Sequence, residues 1–152
     1  MKKIIYMGLI LLSNLVYSQD LVVLGCQGEL KEERLTIEST KPKEEIKTTR
    51  NVLTEIKIDK KNKVIRVQEK SLDRCVLSKC VCNFNENVYE CKSESKGTGT
   101  GEEFSISVGR KTGITNYFWT LSSSIENNNY YFRSNYYITG QFNCELKEKN
   151  KF

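Results

Sequence analysis

The chain has 152 residues, with 24 Lys or Arg, 19 Asp or Glu and no histidine. Its length fits one domain, and its net charge of +5, spread over interleaved Lys and Glu, does not predict a nucleic-acid partner. Without histidine, a Ser-His-Asp hydrolase lacks its general base and a zinc site lacks its usual nitrogen ligand.

The first 18 residues have the pattern of a secretory signal peptide. Lys2 and Lys3 precede an apolar run, Ile4–Leu12, and the small residue Ser18 ends the segment. This run is long enough for a signal-peptide core and too short for a membrane-spanning helix, which needs about 20 apolar residues. We expect cleavage after Ser18, export of residues 19–152 as a single β domain, and no transmembrane span.

A second processing signal overlaps the start of the predicted domain. Val23-Leu24-Gly25-Cys26 resembles a bacterial lipobox, in which the cysteine becomes a lipidated N-terminus. However, Gln19 and Asp20 separate this motif from the apolar run, and lipidation of Cys26 would leave an odd number of cysteines. We expect a secreted or periplasmic protein, with a lipid anchor at Cys26 as the alternative.

An even number of cysteines behind an export signal predicts disulfides. A metal site is the alternative, but thiolates in an oxidising compartment are more readily bridged than metal-bound, and we expect no metal and no other cofactor. Six cysteines allow 15 connectivities. They are Cys26, Cys75, Cys80, Cys82, Cys91 and Cys144.

Beyond residue 20 the chain alternates between apolar and polar residues and is rich in Thr, Val, Ile, Tyr and Phe. This period of two predicts an all-β antiparallel meander of about eight to ten strands, curled into a small barrel or sandwich and stapled by disulfides. Glu45–Leu53 also fits a helical spacing, and we predict a loop or a short helix there. Strand-like segments outside the three hairpins described below are Leu21–Gln27, Leu35–Glu38 and Tyr130–Arg133.

The first predicted hairpin is Val52–Glu69, with its turn at Lys61-Asn62. Counting outward from the turn sets Ile58 opposite Ile65, and the next apolar pair falls on the same face. The charged residues between these pairs fall on the other face. This pattern is typical of a strand pair with one buried side.

The second predicted hairpin is Cys80–Ser93, with a turn at Glu86-Asn87. Counting outward makes Cys82 and Cys91 a non-hydrogen-bonded pair, whose Cα atoms lie about 4.5 Å apart and within disulfide reach. Cys80 lies on the same face as Cys82. Its nearest remaining candidate partner is Cys75.

The third predicted hairpin is Phe104–Leu121, which turns at Arg110–Gly113, and the final strand is about Tyr136–Leu146. The final strand carries Cys144. The third bridge would then join Cys144 to Cys26 and tie the first strand to the last, which we prefer among the possible connectivities. The apolar residues of the third hairpin are Phe104, Ile106, Val108, Tyr117 and Trp119.

Part of this hairpin carries a family resemblance. Phe104–Gly113 contains a Ser-Ile pair and an Arg-Lys-Thr-Gly turn, and with the early Cys26-Gln27-Gly28, the late Cys144 and the terminal Phe152 it resembles a class of small exported bacterial β-proteins of unknown function. The resemblance implies an exported β domain and supports the Cys26–Cys144 bridge. That class has no known functional residues, so no catalytic residue is carried over. The cysteines from 75 to 91 depart from its pattern.

No motif in the chain predicts catalysis. Glu102 and Glu103 could form a carboxylate pair, but on a strand neighbours in sequence point to opposite faces, away from a shared substrate, and we interpret these two as loop charges. Cys80-Val81-Cys82 lacks the two-residue spacing of redox-active thiols. Gly97–Gly101 lacks the Gly-Lys-Ser/Thr ending of a phosphate-binding loop. We expect that the protein is not an enzyme.

Aromatic residues crowd the last third of the chain, in greater number than one small core can bury. Exposed Tyr and Trp rings are suited to partner contact, although they also commonly cover a sheet. We expect a non-catalytic binding module, such as an inhibitor or immunity-type protein that binds an envelope or extracellular protein. The alternative is a structural, envelope-associated protein or lipoprotein without a discrete ligand. The candidate contact residues are Tyr117, Trp119, Tyr130, Tyr131, Tyr136 and Tyr137.

Overall fold

Eight antiparallel strands make up the fold in the computed structural model, which describes residues 20–69, 71–73 and 80–147. They form one sheet in the order β3-β2-β1-β8-β7-β6-β5-β4, and this sheet curls into a nearly closed barrel. The predicted all-β antiparallel fold is therefore confirmed, with a barrel rather than a sandwich. The strands are β1 (Leu21–Glu38), β2 (Lys41–Asp59), β3 (Val64–Val67), β4 (Val81–Phe84), β5 (Val88–Gly97), β6 (Thr100–Gly109), β7 (Ile114–Asn127) and β8 (Tyr130–Leu146).

The hairpin of β2 and β3 has the predicted register. Ile58 lies opposite Ile65, and both side chains are buried in the core. Asp59 fixes the turn, because its carboxylate accepts hydrogen bonds from the backbone nitrogen of Asn62 at 2.9 Å and from the side-chain amide of Asn62 at 2.7 Å. The turn chemistry and the apolar alternation therefore specify the same pairing.

The other two predicted hairpins are also confirmed. Cys82 lies opposite Cys91 on β4 and β5, and Phe104 lies opposite Trp119 on β6 and β7. The side chains that alternate inward along these strands join the single core cluster, while their neighbours in sequence face solvent. Period-two alternation is thus sufficient to orient these four strands.

Two disulfides join directly opposite residues of neighbouring strands. Cys26 on β1 is bonded to Cys144 on β8, with the Cα atoms 4.1 Å apart. The Cα atoms of Cys82 and Cys91 are 4.0 Å apart. Both predicted pairings are confirmed, and both fit an oxidising compartment.

The remaining predicted pairing involves a residue that the structure does not describe. Cys80 is disulfide-bonded. Its predicted partner, Cys75, lies outside the described residues. The predicted signal peptide, residues 1–18, and the terminal Phe152 also lie outside them.

The prediction of a loop or short helix over Glu45–Leu53 is wrong. This segment belongs to β2, which runs without interruption along β1. From Lys41 to Asn51 every side chain of β2 is exposed, so neither face carries the apolar alternation that marks a strand. Likewise Leu35–Glu38 and Tyr130–Arg133 are not separate strands, because they are the ends of β1 and β8.

Four of the strands continue farthest beyond the core, and the ends of β5 and β6 pair alongside the first part of this extension. Buried apolar side chains end at Leu30 on β1, Val52 on β2, Trp119 on β7 and Ile138 on β8. The pairing of β2 with β1, β1 with β8 and β8 with β7 continues past these residues for about 25 Å, at about 3.3 Å per residue. We call this extension, residues 31–51 and 120–137, the arm.

Backbone contacts tie the two hairpins of the arm together at the tip. The amide of Ser39, in the turn between β1 and β2, donates to the carbonyl oxygen of Tyr131 at 2.9 Å. The amide of Tyr131 donates in return to the Ser39 hydroxyl at 3.2 Å. The arm is therefore one continuous four-stranded sheet up to its end.

Candidate functional site

One face of the arm continues the inner wall of the barrel. Directly opposite residues of antiparallel strands point to the same side of the sheet. The first row beyond the core lies two residues past Trp119 and takes one residue from each of the four strands of the arm, with Glu102 of β6 next to it opposite Leu121. This row contains Leu121, Tyr136, Arg34 and Ile46.

Two further rows lie toward the tip of the arm. The second row consists of small hydroxyl residues and one carboxylate, Ser123, Ser134, Thr36 and Glu44. The third row contains Ile125, Phe132 and Glu38. We call the surface formed by these three rows the arm face.

The arm face exposes apolar side chains that the core does not use. Leu121 is 42% exposed, Ile46 is 45% exposed and Ile125 is 58% exposed. Alternate residues of a strand are separated by about 6.7 Å, so the first and third rows lie about 13 Å apart. The three hydroxyl side chains and Glu44 of the second row lie between these two sets of apolar groups.

Two aromatic rings at the base of the arm face are held in fixed orientations. Trp119 and Tyr136 pack edge to face, with ring centroids 5.3 Å apart. The indole nitrogen of Trp119 donates to the carboxylate of Glu102 at 2.7 Å. The hydroxyl of Tyr136 donates to the carboxylate of Glu32 at 2.8 Å. Because each ring is fixed by packing and by a hydrogen bond to a charged group, this part of the surface is preorganised.

Arg50 extends this network to the segment that follows β3. Its guanidinium donates to Glu32 at 3.2 Å and to Glu69 at 2.8 Å, and the Ser71 hydroxyl donates to Glu69 at 2.7 Å. The hydrogen bond to Glu69 raises the pKa of Arg50. Burial alone would raise the pKa of Glu69, but its hydrogen bonds with Arg50 and Ser71 outweigh burial and leave that pKa below its ordinary value. Arg50 and Glu69 therefore stay charged at neutral pH and act as structural anchors.

The six predicted contact residues do not form one surface. Tyr117 and Trp119 are buried in the core. Tyr136 is half-buried at the base of the arm face, whereas Tyr137, its neighbour in sequence, is 37% exposed on the opposite face of the sheet. Tyr130 and Tyr131 are half-buried at the arm tip. The structure thus brings together Trp119 and Tyr136, keeps Tyr117 with Trp119 in the core cluster, and places the other three residues elsewhere.

The exposed aliphatic residues of the arm face were not predicted as contacts. Leu121 and Ile125 lie on the same face of β7 as Trp119, because alternate residues of a strand share a face. The apolar alternation of β7 therefore continues past the core, and this pattern in the sequence could have identified both residues. Ile46 has no such signal, because its neighbours in β2 are exposed on both faces.

A concave surface lies on the outer side of the barrel. It is a groove of about 820 Å³ over β2, β1 and β8, and it forms where Gly25 has no side chain. The Lys147 side chain covers Gly25, and its ammonium nitrogen lies 2.7 Å from the Glu55 carboxylate. Hydrogen bonds with Lys147 and then Lys57 lower the pKa of Glu55. Glu55 and Lys147 in this groove are therefore already paired with each other.

No protein-family model matches this chain, and no curated protein is significantly similar to it. Within residues 20–69, 71–73 and 80–147, no three His, Cys, Asp or Glu side chains are grouped so that they could hold a metal ion. No helix in the same ranges is long and apolar enough to cross a membrane. The arm face combines exposed apolar groups with a fixed aromatic base.

Proposed function

We propose that the protein is an exported, non-catalytic binding module whose arm face contacts a protein partner in the envelope or the extracellular space. The observation that carries this proposal is the pair of exposed apolar rows on a sheet that extends beyond the core. Apolar groups placed outside a core stabilise the protein only when something covers them. An inhibitor or immunity-type role is the most concrete form of the proposal.

The chemistry of the arm face favours a protein partner. Its apolar side chains lie beside charges of both signs, Arg34 in the first row and Glu38 and Glu44 in the others. A polyanion would require a patch of one sign, and a small ligand would require a deeper pocket. Apolar and aromatic side chains interspersed with polar and charged ones are typical of protein interfaces.

Export of the mature chain rests on the predicted signal peptide and is supported by the disulfides. The Cys26–Cys144 bond occupies the thiol that a lipid anchor would need, which favours a soluble secreted or periplasmic form over the alternative anchored at Cys26. A structural envelope-associated protein remains the second candidate function. It predicts broad retention on envelope material and no stoichiometric partner.

A pull-down from envelope and extracellular fractions with the mature chain tests the proposal. The arm-face variant is Leu121→Asp with Ile125→Asp. The matched control is Leu53→Asp, because Leu53 is 80% exposed and lies on the outer face of the same sheet. We expect one stoichiometric protein to be retained by the wild type and by the control and to be lost with the arm-face variant. Equal retention by all three chains, or broad retention on peptidoglycan, would argue for the envelope role.

A further inference from the structure

The outer edge of β2 is open along the arm. β3 pairs with β2 only from Ile56 to Asp59, and no other described strand pairs with that side of β2. The amide of Gln68, which follows β3, donates to the carbonyl oxygen of Glu55 at 2.8 Å, so the backbone groups of Glu55 point to the outer side. In an antiparallel strand this direction alternates, so Glu45, Lys47 and Thr49 also point their N–H and C=O groups outward.

An open edge of this length is a template for pairing with another strand. We infer that the β2 edge pairs antiparallel with the β2 edge of a second copy of this chain, in the register that places Ile46 opposite Ile46 about a twofold axis. Within one chain the Glu45 carboxylate already lies 2.7 Å from the Lys47 ammonium nitrogen. This register also makes Glu45 face Lys47 of the other copy, and the same pair occurs twice by symmetry. Opposite charges facing each other across a strand pair stabilise it.

The neighbouring registers are less favourable. A shift of the twofold axis to Glu45 sets Lys43 opposite Lys47 and Glu45 opposite itself. A shift of the axis to Lys47 sets that lysine opposite itself. It also sets Arg50 opposite Glu44, although the Arg50 guanidinium is already bound to Glu32 and Glu69. Like charges directly opposite one another destabilise strand pairing, so charge selects the register centred on Ile46.

This register also joins the arm faces of the two copies. Ile46 ends the first row of the arm face, and in the dimer it would meet Ile46 of the second copy in the same row. Both side chains are exposed in the single chain, and both become covered. The first row then continues from Leu121 of one copy to Leu121 of the other. The dimer does not depend on the proposed protein partner, since its contacts lie along the strand edge.

The outer edge of β2 and the edge at the other end of the sheet differ in length, and this difference limits the assembly to two copies. The edge at the other end of the sheet is β4, which has only four residues, Val81–Phe84. A twofold pairing uses the β2 edge of both copies and leaves no equivalent long edge, so the assembly closes.

Charge-reversal variants test this inference. Sedimentation measures the dimerisation of the mature chain and of each variant from low micromolar to near-millimolar concentration. We expect the wild type to dimerise, and Glu45→Lys and Lys47→Glu each to weaken the dimer by about tenfold or more, because each faces like charges at both symmetric positions. An equal mixture of the two variants should recover dimers, since one chain then presents two lysines at the edge and the other two glutamates. The matched control is Glu90→Lys, which disrupts a comparable ion pair on β5, Glu90 with Lys92 at 3.0 Å, and should not change assembly.

Cysteine substitution tests the register separately. Ile46→Cys places two thiols opposite each other in a non-hydrogen-bonded pair, the geometry of both described disulfides, and should give a covalent dimer on oxidation. Thr48→Cys faces Glu44 instead and should not. A wild type that stays monomeric throughout the concentration range, or a dimer that both charge variants leave intact, would overturn the inference. A mixture that does not associate, or crosslinking by Thr48→Cys in place of Ile46→Cys, would overturn the register.

Discussion

Cys26 and Cys144 face each other across β1 and β8, the strand pair that joins the N-terminal hairpin to the C-terminal meander. The bond between them links positions 118 residues apart, whereas the Cys82–Cys91 bond links positions only 9 residues apart. A crosslink that closes a longer loop removes more conformational entropy from the unfolded chain. The two bridges therefore have unequal expected effects on stability, although each joins directly opposite residues.

Replacing both members of each bridge by serine should separate these effects. We expect Cys26→Ser with Cys144→Ser to lower the free energy of unfolding by about 4–5 kcal/mol, and Cys82→Ser with Cys91→Ser to lower it by about 2–3 kcal/mol. Urea denaturation followed by tryptophan fluorescence and circular dichroism measures both values. A larger loss from the short-range bridge would contradict the loop-closure argument.

Gly28 lies where β1 comes very close to β8, and alanine should not be tolerated there. A Cβ atom at Gly28 would overlap the Gln141 carbonyl group and lie 2.7 Å from the Phe142 Cα, both of which are backbone. We expect Gly28→Ala to cost about 1–3 kcal/mol of unfolding free energy. The matched control is Gly25→Ala on the same strand, where the new methyl group meets only the flexible Lys147 side chain at 3.3 Å. Equal stability of the two variants would mean that the strands are not packed as closely as described.

The Arg50–Glu69 contact should give a pH-dependent contribution to stability. The pKa of Glu69 is lowered in the folded protein. The ionised Glu69 carboxylate therefore contributes its full stabilisation above the pKa of the unfolded chain, about 4.3, and this stabilisation is lost as pH falls through the pKa of the folded protein. We expect Glu69→Gln to lower the free energy of unfolding by about 1 kcal/mol at pH 7 and to have little effect near pH 3. Denaturation curves of both chains at the two pH values test the sign. A difference that grows toward low pH would contradict it.

The predicted aromatic contacts should separate into two classes by stability. Tyr117→Ala and Trp119→Ala remove buried core rings and should each cost about 3–5 kcal/mol. Tyr137→Ala removes a partly exposed ring from the outer face and should cost less than about 1 kcal/mol. Thermal denaturation of the three variants is sufficient for the comparison. Similar melting temperatures for Trp119→Ala and Tyr137→Ala would contradict the placement of the core.

The barrel could be predicted from the sequence because its hairpins are local. In the hairpin of Cys82 and Cys91, and in that of Ile58 and Ile65, a short polar turn sets the centre of the pairing, and period-two alternation sets the buried face. The sequence indicates the Cys26–Cys144 pairing less directly, because these two residues lie on strands that are distant in the chain. They are paired there as the two cysteines left after the local pairings.

The arm and its face could not be predicted in the same way. β2 is exposed on both sides from Lys41 to Asn51, so its strand conformation comes from pairing with β1 and not from a local pattern. Bringing Leu121 and Ile46 into one row requires three successive registers, and that of β1 with β8 joins strands that are distant in the chain. Single-sequence reasoning could identify Trp119 and Tyr136 as candidates but could not place them on a common surface with those aliphatic residues.

Site-specific photo-crosslinking in the producing cells tests the proposed binding function most directly. A photoreactive phenylalanine analogue at Leu121 probes the arm face, and the same analogue at Leu53 probes the outer face at a more exposed position. Intact mass and N-terminal sequencing of the recovered chain would show whether it begins at Gln19, as the predicted export requires. We predict one discrete protein adduct from position 121 and none from position 53. Adducts of equal yield from both positions, or an adduct from position 53 alone, would contradict the assignment of the arm face as the binding surface.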